Sequence, residues 1–253
     1  MRAIIIAAGK GTRLYPLTKN TPKSLIEIGN GITMLESQLH SLKENNIKDI
    51  TIIVGYRAEQ IEAKIKKYQD DFNITTIFNP FYDCSNNLIS VWMARHFMNE
   101  DFITINGDDI FKPTVIENLL KSESNITMVI DEKEKYDDDD MKVVHKDGLV
   151  LQVSKKIPME DTNGESVGII KFTGKGRQIY VDTLEEMVRD EANRNVFYLM
   201  AIQKIIDKGY PVNYSKCEPT DWSELDFHPD LVMIKQYLRR SNLIDTIFPG
   251  KDK

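Results

Sequence analysis

The chain has 253 residues, of which 41% are hydrophobic and 28% are charged, and these values are typical of a globular protein rather than a disordered one. A formal charge of -6 without a basic stripe argues against a protein that binds nucleic acid through its phosphate backbone. Two cysteines offer no disulfide framework and no apolar run is long enough to span a membrane, so we expect a cytoplasmic protein without membrane insertion.

Strand-like and helix-like segments alternate through the first half of the chain. Short apolar runs predict strands at residues 3–8, 50–54, 74–78 and 102–106, and helical periodicity predicts helices at residues 34–43, 58–68 and 88–97. Because this alternation requires right-handed crossovers, it predicts an α/β fold, a Rossmann-like three-layer sandwich with a mostly parallel mixed central sheet. Ligands bind such sheets beyond the carboxyl ends of the strands.

The pattern changes beyond residue 130. An acidic patch precedes short extended segments at residues 142–145, 149–154 and 167–172, and the residues around Gly164 and Gly168 are interpreted as a turn. Further helices are predicted at residues 181–191, 196–208 and 229–239, with a strand at residues 211–217. Residues 241–253 are predicted to be a tail or linker.

The first predicted strand leads into a glycine-containing loop. Gly9 and Gly11 are followed by Arg13 and, past two prolines, by Lys23. Glycines let backbone N–H groups approach an anion, and a guanidinium and an ammonium supply charge to hold it. The dinucleotide fingerprint would need glycine in place of Leu14, and the Walker Gly-Lys-Ser/Thr is missing. A glycine turn after a strand also occurs without any phosphate site, but the length of this motif favours phosphate binding.

Acidic residues follow the strand predicted at residues 102–106 and recur near the end of the domain. Asp108 would either bind Mg²⁺, which prefers oxygen ligands, or cap the helix that follows. Alternation would place Trp222, Glu224 and Asp226 on one face of an extended segment, which makes Asp226 the candidate for a second metal-binding carboxylate. Core packing is an equally good interpretation of Trp222. The histidines show no metal-ligand spacing.

Together these motifs resemble those of the nucleotidyltransferase family, whose members join an NTP to a phosphorylated small molecule and release pyrophosphate. The resemblance covers nearly the whole chain and is densest at AAGKGTR (residues 7–13), at Pro22-Lys23 and at Gly107-Asp108. It implies a single nucleotidyltransferase domain over residues 1–240. Within it, a nucleotide-binding half would extend over about residues 1–130, and a smaller acceptor-binding lobe over about residues 131–226.

Departures from the hexose-1-phosphate members narrow the expected acceptor. Those members carry Lys-Pro and Glu-Lys-Pro elements where this chain has GNGI at residues 29–32 and SKK at residues 154–156. Its segments DMKV (residues 140–143), GExxG (164–168) and WxExD (222–226) are similar to the branch that makes CDP-choline or CMP-phosphonates. The resemblance therefore favours a cytidylyltransferase acting on 2-aminoethylphosphonate. Phosphocholine, a hexose 1-phosphate and a non-catalytic nucleotide sensor are the alternatives.

The resemblance also implies roles for individual residues. In catalysis, Lys23 would stabilise charge at the α-phosphorus, Arg13 would neutralise the departing pyrophosphate, and Asp108 would bind Mg²⁺ together with Asp226. The nucleotide CTP would be bound by Ala7, Ala8, Gly9, Gly11, Thr12 and Gly107, with Ser85 and Asn86 at the cytosine. The acceptor would be bound by Lys142 and Lys155 at its phosphonate or phosphate, and by Asp140, Glu165, Trp222 and Glu224 at its amino end. A homo-oligomer or a fusion to another catalytic domain is compatible with the sequence.

Overall fold

The structure, a computed structural model, describes residues 1–226. Its strands are β1 (Arg2–Ala7), β2 (Glu27–Gly29), β3 (Ile32–Thr33), β4 (Asp49–Val54), β5 (Asn73–Phe78), β6 (Phe102–Asn106), β7 (Asp109–Phe111), β8 (Ile126–Asp131), β9 (Lys142–Lys146), β10 (Leu149–Val153), β11 (Gly164–Phe172), β12 (Asn213–Lys216) and β13 (Trp222–Glu224). Its helices are α1 (Met34–Glu44), α2 (Ala58–Ile65), α3 (Asn87–Met93), α4 (Pro113–Leu120), α5 (Gly174–Val188) and α6 (Met200–Asp207). The helix predicted at residues 229–239 and the predicted tail lie outside the described residues.

One mixed sheet organises this part of the chain. Within residues 1–226 it contains nine strands in the order β5-β4-β1-β6-β11-β8-β12-β10-β9. Strands β5, β4, β1 and β6 are parallel to one another, and β12 is parallel to β8. Strand β11 lies antiparallel between β6 and β8, which makes the sheet mixed. A mixed sheet with a parallel first half is what the sequence predicts.

Helices cover both faces of the sheet because the central strands are apolar on both sides. In β1, Ile5 belongs to a buried cluster that includes residues of α1, α2 and α4. Its neighbour Ile4 points to the opposite face and belongs to a cluster that includes residues of α3, α5 and α6. Successive side chains of a strand alternate between faces, so a continuous apolar run requires cover on both. The result is a three-layer sandwich.

The second half of the chain departs most from the prediction. The segment predicted to turn around Gly164 and Gly168 belongs to β11, all of whose residues are buried. Gly168, at φ 78°, lies in a register shift within that strand, so its glycine allows a β-bulge rather than a turn between elements. Helix α5 begins at residue 174, not 181. A Cβ at Gly176 would lie 2.3 Å from the Asn125 carbonyl oxygen, so glycine here permits close packing inside a helix.

A short antiparallel pair brings the end of the described chain to the centre of the sheet. Strand β13 pairs with β7, and Glu224 lies opposite Asp109. The Gln38 side-chain amide donates hydrogen bonds to the carbonyl oxygens of Asn106 and Asp109, at 2.7 and 2.8 Å, which fixes the turn after β6. Within residues 1–226, no helix combines the length and apolar character needed to cross a bilayer.

Candidate active site

A cleft of about 360 Å³ opens at the carboxyl ends of β1 and β6. It brings the glycine loop, the turn after β6 and part of the predicted acceptor set together. The predicted site residues that line it are Ala7, Ala8, Gly9, Gly11, Thr12, Arg13, Lys23, Ser85, Asn86, Gly107, Asp108, Lys155, Glu165, Glu224 and Asp226. Three predicted acceptor residues, Asp140, Lys142 and Trp222, are not part of its walls.

The glycine loop offers free backbone donors to the cleft. The N–H groups of Gly9, Lys10 and Gly11 make no hydrogen bond within residues 1–226. Gly11 has φ 60°, and the Thr18 hydroxyl donates a 2.6 Å hydrogen bond to its carbonyl oxygen, which holds this left-handed turn. A Cβ added at Gly9 would meet no atom within 4 Å, so the cleft is open beside it. Such a loop can bind the oxygens of a phosphate chain.

A network of ion pairs lies next to this loop. Lys23 Nζ is 2.6 Å from Asp108 Oδ2 and 2.8 Å from Asp226 Oδ1. Arg13 Nη1 is 2.8 Å from Asp226 Oδ2. Burial disfavours the charged ammonium, but Asp108 and Asp226 outweigh burial and raise the pKa of Lys23. The two predicted catalytic cations and the two predicted metal ligands are therefore paired with one another here.

Carboxylates crowd the site beyond these pairs. Oxygens of Asp108, Asp109 and Glu224 lie within 4.8 Å of one another. Asp109 is 1% exposed, and neither of its carboxyl oxygens has a hydrogen-bond partner among the described residues. Burial, together with the negative Asp108 and Glu224, raises the pKa of Asp109 well above its ordinary value. Burial beside Asp108 and Asp226 likewise raises the pKa of Glu224 to about 8.

This donor set fits a divalent cation. Hard cations bind carboxylate oxygens, and positive charge would relieve the repulsion that burial and crowding impose on these acids. Of the two predicted ligands, Asp108 belongs to this cluster, together with the buried Asp109 and the half-buried Glu224, whereas Asp226 is not one of its three members. Asp109 is not among the ligands predicted from the sequence. The signal available was a second acid directly after Asp108 at the end of a buried strand.

At the predicted nucleobase end, the polar residues hold one another in place. Asn86 is the N-cap of α3, and its side-chain oxygen accepts a 2.7 Å hydrogen bond from the Asn87 N–H. The Ser85 hydroxyl donates to the Phe81 carbonyl oxygen at 2.8 Å. Asn87 in turn accepts a 2.8 Å hydrogen bond from the Tyr198 N–H. Asn87 and Tyr198 also line the cleft, and sequence reasoning missed both because their proximity depends on tertiary structure.

The lysines predicted to bind the acceptor lie in different environments. Lys155 lines the cleft, and its Nζ is 4.9 Å from the centre of the Phe197 ring and 3.8 Å from Asp139 Oδ1. Lys142 is 2% exposed, and its Nζ donates a 2.8 Å hydrogen bond to the carbonyl oxygen of Lys155. Lys142 therefore supports the backbone of Lys155 from outside the cleft.

Trp222 and Asp140 also lie behind the cleft wall. Trp222 packs against the apolar cluster that includes Phe111, its partner in the β13–β7 pair, and its indole interacts with the carboxylate of Asp131. Asp140 Oδ2 accepts a 2.8 Å hydrogen bond from the Asp137 N–H. Asp140 lies beside Glu165, which does line the cleft. Burial raises the pKa of Glu165 to about 7.

Comparison with known sequences identifies a protein family and several similar cytidylyltransferases. A family model described as nucleotidyl transferase matches residues 2–238. A choline-phosphate cytidylyltransferase from Streptococcus pneumoniae is 38% identical over 122 residues, which make up 48% of this chain and about half, 51%, of that protein. A choline-phosphate cytidylyltransferase from Haemophilus influenzae is 31% identical, with 77% of this chain and 78% of that protein aligned. A CTP:phosphoglutamine cytidylyltransferase from Campylobacter jejuni is 25% identical, and 91% of this chain and 98% of that protein are aligned.

Two solved structures share the fold of this chain. The inositol-1-phosphate CTP transferase from T. maritima superposes with a TM-score of 0.81 and 21% identity, covering 98% of this chain and 96% of that one. The CTP:phosphocholine cytidylyltransferase from Streptococcus pneumoniae superposes with a TM-score of 0.78 and 25% identity, covering 94% and 98% of the two chains. The predicted α/β sandwich is therefore confirmed.

Proposed function

Because the chain belongs to the nucleotidyl transferase family and is thus a nucleotidyl-transfer enzyme, as its motifs predicted, we propose that it is a Mg²⁺-dependent cytidylyltransferase. The nucleotide is CTP, as in the cytidylyltransferases it is similar to. Its acceptor is a small phosphonate or phosphate with an ammonium group, and 2-aminoethylphosphonate is the best candidate. One observation carries this proposal: a single cleft joins the glycine loop and Lys23 to a wall that contains Glu165 and Glu224.

The reaction needs alignment and charge neutralisation rather than a general base. An acceptor phosphonate oxygen is already anionic at neutral pH, so it attacks the α-phosphorus of CTP without losing a proton. The new oxygen–phosphorus bond forms as the bond to the β-phosphate oxygen breaks, and pyrophosphate leaves. Lys23 stabilises the charge at the α-phosphorus, Arg13 neutralises the leaving group, and the loop N–H groups bind the phosphate chain. Asp108 and Asp226 would hold Mg²⁺, which would supply further positive charge to the site when bound.

The cleft wall supports an acceptor with a primary ammonium. A quaternary ammonium has no N–H to donate and is bound by several aromatic faces, whereas a primary ammonium donates hydrogen bonds to carboxylates. Trp222 lies outside the cleft, and the rings of Tyr82 and Phe197, which line it, already face the ammonium groups of Lys10 and Lys155 at 5.8 and 4.9 Å. Glu165 and Glu224 both line the cleft. These contacts favour 2-aminoethylphosphonate.

Phosphocholine is the second candidate acceptor. Two relatives at 38% and 31% identity are choline-phosphate cytidylyltransferases, and their likeness is the observation that favours it. The same cleft could offer Phe197 and Tyr82 to a trimethylammonium group. Turnover rates with the two acceptors decide between them, so both are measured in the same assay.

The test measures magnesium-dependent release of pyrophosphate. Each NTP is paired with 2-aminoethylphosphonate, phosphocholine and glucose 1-phosphate, and we expect release with CTP and 2-aminoethylphosphonate. The Lys23→Ala variant should fold but lose on the order of 10²- to 10³-fold in kcat, because a charge that stabilises the transition state is gone. Lys19→Ala, which removes an exposed ammonium four residues away, is the matched control. Near-normal turnover by folded Lys23→Ala, or no release with any pair, would contradict the proposal.

A further inference from the structure

Lys133 lies behind the cleft wall and contacts two acidic residues. It lies between β8 and β9, and its Nζ is 2.8 Å from Asp140 Oδ2 and 2.5 Å from Glu165 Oε2. Its ammonium also lies 5.7 Å from the centre of the Tyr136 ring, and its backbone N–H donates to the Tyr136 hydroxyl at 3.3 Å. Contacts from several directions therefore fix this ammonium in place.

The position of Lys133 relative to the cleft indicates what the contact does. Glu165 lines the cleft, whereas Lys133 lines a separate cavity of about 530 Å³ on the outer side. Lys133 thus contacts Glu165 without lining the cleft itself, which leaves Glu165 accessible to a molecule bound there. An acceptor would not have to displace Lys133 to contact Glu165.

Lys133 places a positive charge next to two carboxyl groups that lie close together. Asp140 and Glu165 are 8% and 5% exposed, and each influences the ionisation of the other. Two buried carboxylates that share a site repel each other, and without a counterion one of them tends to be neutral. On neighbouring strands, Asp131 of β8 and Lys142 of β9 are the register partners of Glu165.

On the basis of the proposed function, we propose that Lys133 is a positioning residue for the acceptor. Its ammonium compensates Asp140 and holds Glu165 as an oriented carboxylate at the cleft wall, where Glu165 binds the ammonium of the acceptor. Asp140, which is predicted from the sequence to contact the acceptor directly, instead acts indirectly by anchoring Lys133. The Lys133–Glu165 pair favours acceptors that carry a cation, and it does not contact the reacting phosphorus.

The experiment compares two acceptors that differ in one group. 2-Aminoethylphosphonate carries an ammonium, and propylphosphonate carries a methyl in its place. In Lys133→Gln, KM for 2-aminoethylphosphonate should rise about tenfold with kcat little changed, the scale of one charge-assisted hydrogen bond. KM for propylphosphonate should not change. Lys133→Arg should restore the wild-type value, and Lys135→Gln, which removes an exposed charge from the same loop, should match wild type.

A double-mutant cycle identifies Glu165 as the residue through which Lys133 acts. In a Glu165→Gln background, Lys133→Gln should add nothing further to KM for 2-aminoethylphosphonate, because the carboxylate it positions is already gone. This double variant also removes both partners of the pair, so it remains informative if Lys133→Gln alone folds poorly. Additive effects in the cycle, or equal changes in KM for both acceptors, would overturn the inference.

Failure of the proposed function has a different signature. If the wild-type enzyme releases no pyrophosphate from CTP with any acceptor, the proposed function is wrong. The same comparison is then made by calorimetry with 2-aminoethylphosphonate alone. A Kd that is equal in wild type and Lys133→Gln would overturn the inference, and a weaker Kd in the variant would support it. Normal turnover with unchanged KM in Lys133→Gln leaves the function intact and overturns the inference alone.

Discussion

Lys23 Nζ and Asp226 Oδ1 lie 2.8 Å apart although 203 positions separate the two residues in the chain. The same ammonium is 2.6 Å from Asp108 Oδ2, and Arg13 also contacts Asp226. In the substrate-free protein, the groups proposed to bind phosphates and those proposed to bind a metal ion neutralise one another. We therefore expect substrate binding to exchange these partners, with the carboxylates turning to the cation and Lys23 and Arg13 to the phosphates.

This exchange predicts that Mg²⁺ and CTP bind cooperatively, and that Asp226 sets the coupling. In Asp226→Asn, Lys23 and Arg13 lose a competing partner, so CTP should bind about two- to fivefold more tightly in EDTA, the scale of one partly exposed ion pair. Stimulation of CTP binding by Mg²⁺ should decrease in this variant. Calorimetry with and without Mg²⁺ measures both quantities. Asp71→Asn, which removes an exposed carboxylate paired with Lys43, controls for net charge. Weaker metal-free binding of CTP by Asp226→Asn would argue against the exchange.

Two glycines of the site predict opposite results for the same substitution. In Gly107→Ala, the new Cβ would lie 2.6 Å from the Ile6 carbonyl oxygen and 3.0 Å from Ala7 Cβ. Because the backbone around Gly107 would have to shift, we expect a loss of about 1–3 kcal/mol in the free energy of unfolding. In Gly9→Ala the Cβ meets no atom within 4 Å, so stability should be unchanged while KM for CTP rises. Urea unfolding and steady-state kinetics on both variants check this, and equal loss of stability would contradict it.

The first half of the fold could be predicted from the sequence because its signals are local. The apolar runs that become β1, β4, β5 and β6 alternate with helical periodicity, and each strand end carries its own loop residues. Placement of Gly9 and Asp108 at one cleft follows from the rule for parallel strands. Helix α5 was misjudged because Gly174 and Gly176 are typical turn residues, and only the approach of the chain at Asn125 explains a glycine there.

The acceptor wall was less predictable because its contacts are not local. Period-two alternation correctly indicated an extended segment and grouped Glu224 with Asp226, both of which line the cleft. It also placed Trp222 on the same face, whereas Trp222 packs against the core. Lys133 stands among charged residues of the segment EKEKY and looks like any solvated lysine. Its relation to Glu165 arises only when β11 is inserted beside β8, which no local pattern in the sequence specifies.

The place of Trp222 leads to a prediction about stability rather than binding. In Trp222→Phe, the indole N–H that interacts with the buried Asp131 is lost, and packing beside Phe111 is reduced. We expect the free energy of unfolding to fall by about 1–2 kcal/mol, with KM for the acceptor changed less than twofold. Phe197→Leu, at the cleft wall beside Lys155, should do the reverse and raise KM with little loss of stability. A large rise in KM for Trp222→Phe at unchanged stability would restore its direct role in binding.

The raised pKa of Glu224 predicts how stability depends on pH. Its ordinary value is 4.5, and burial beside Asp108 and Asp226 raises it to about 8 in the folded protein. Between these values the folded state binds more protons than the unfolded state, so the free energy of unfolding of the substrate-free protein should decrease as pH rises from about 4.5 to about 8. In Glu224→Gln part of this slope should disappear, since one group no longer takes up a proton on folding. The pKa of Asp109 is shifted in the same direction, so Asp109 should account for a remaining slope.

Urea unfolding at pH 5 and pH 8 measures the difference, with the exposed Glu218→Gln as control. Identical pH dependence in wild type and Glu224→Gln would mean that Glu224 is ionised in the substrate-free site, and that Lys23 compensates it as well as Asp108 and Asp226.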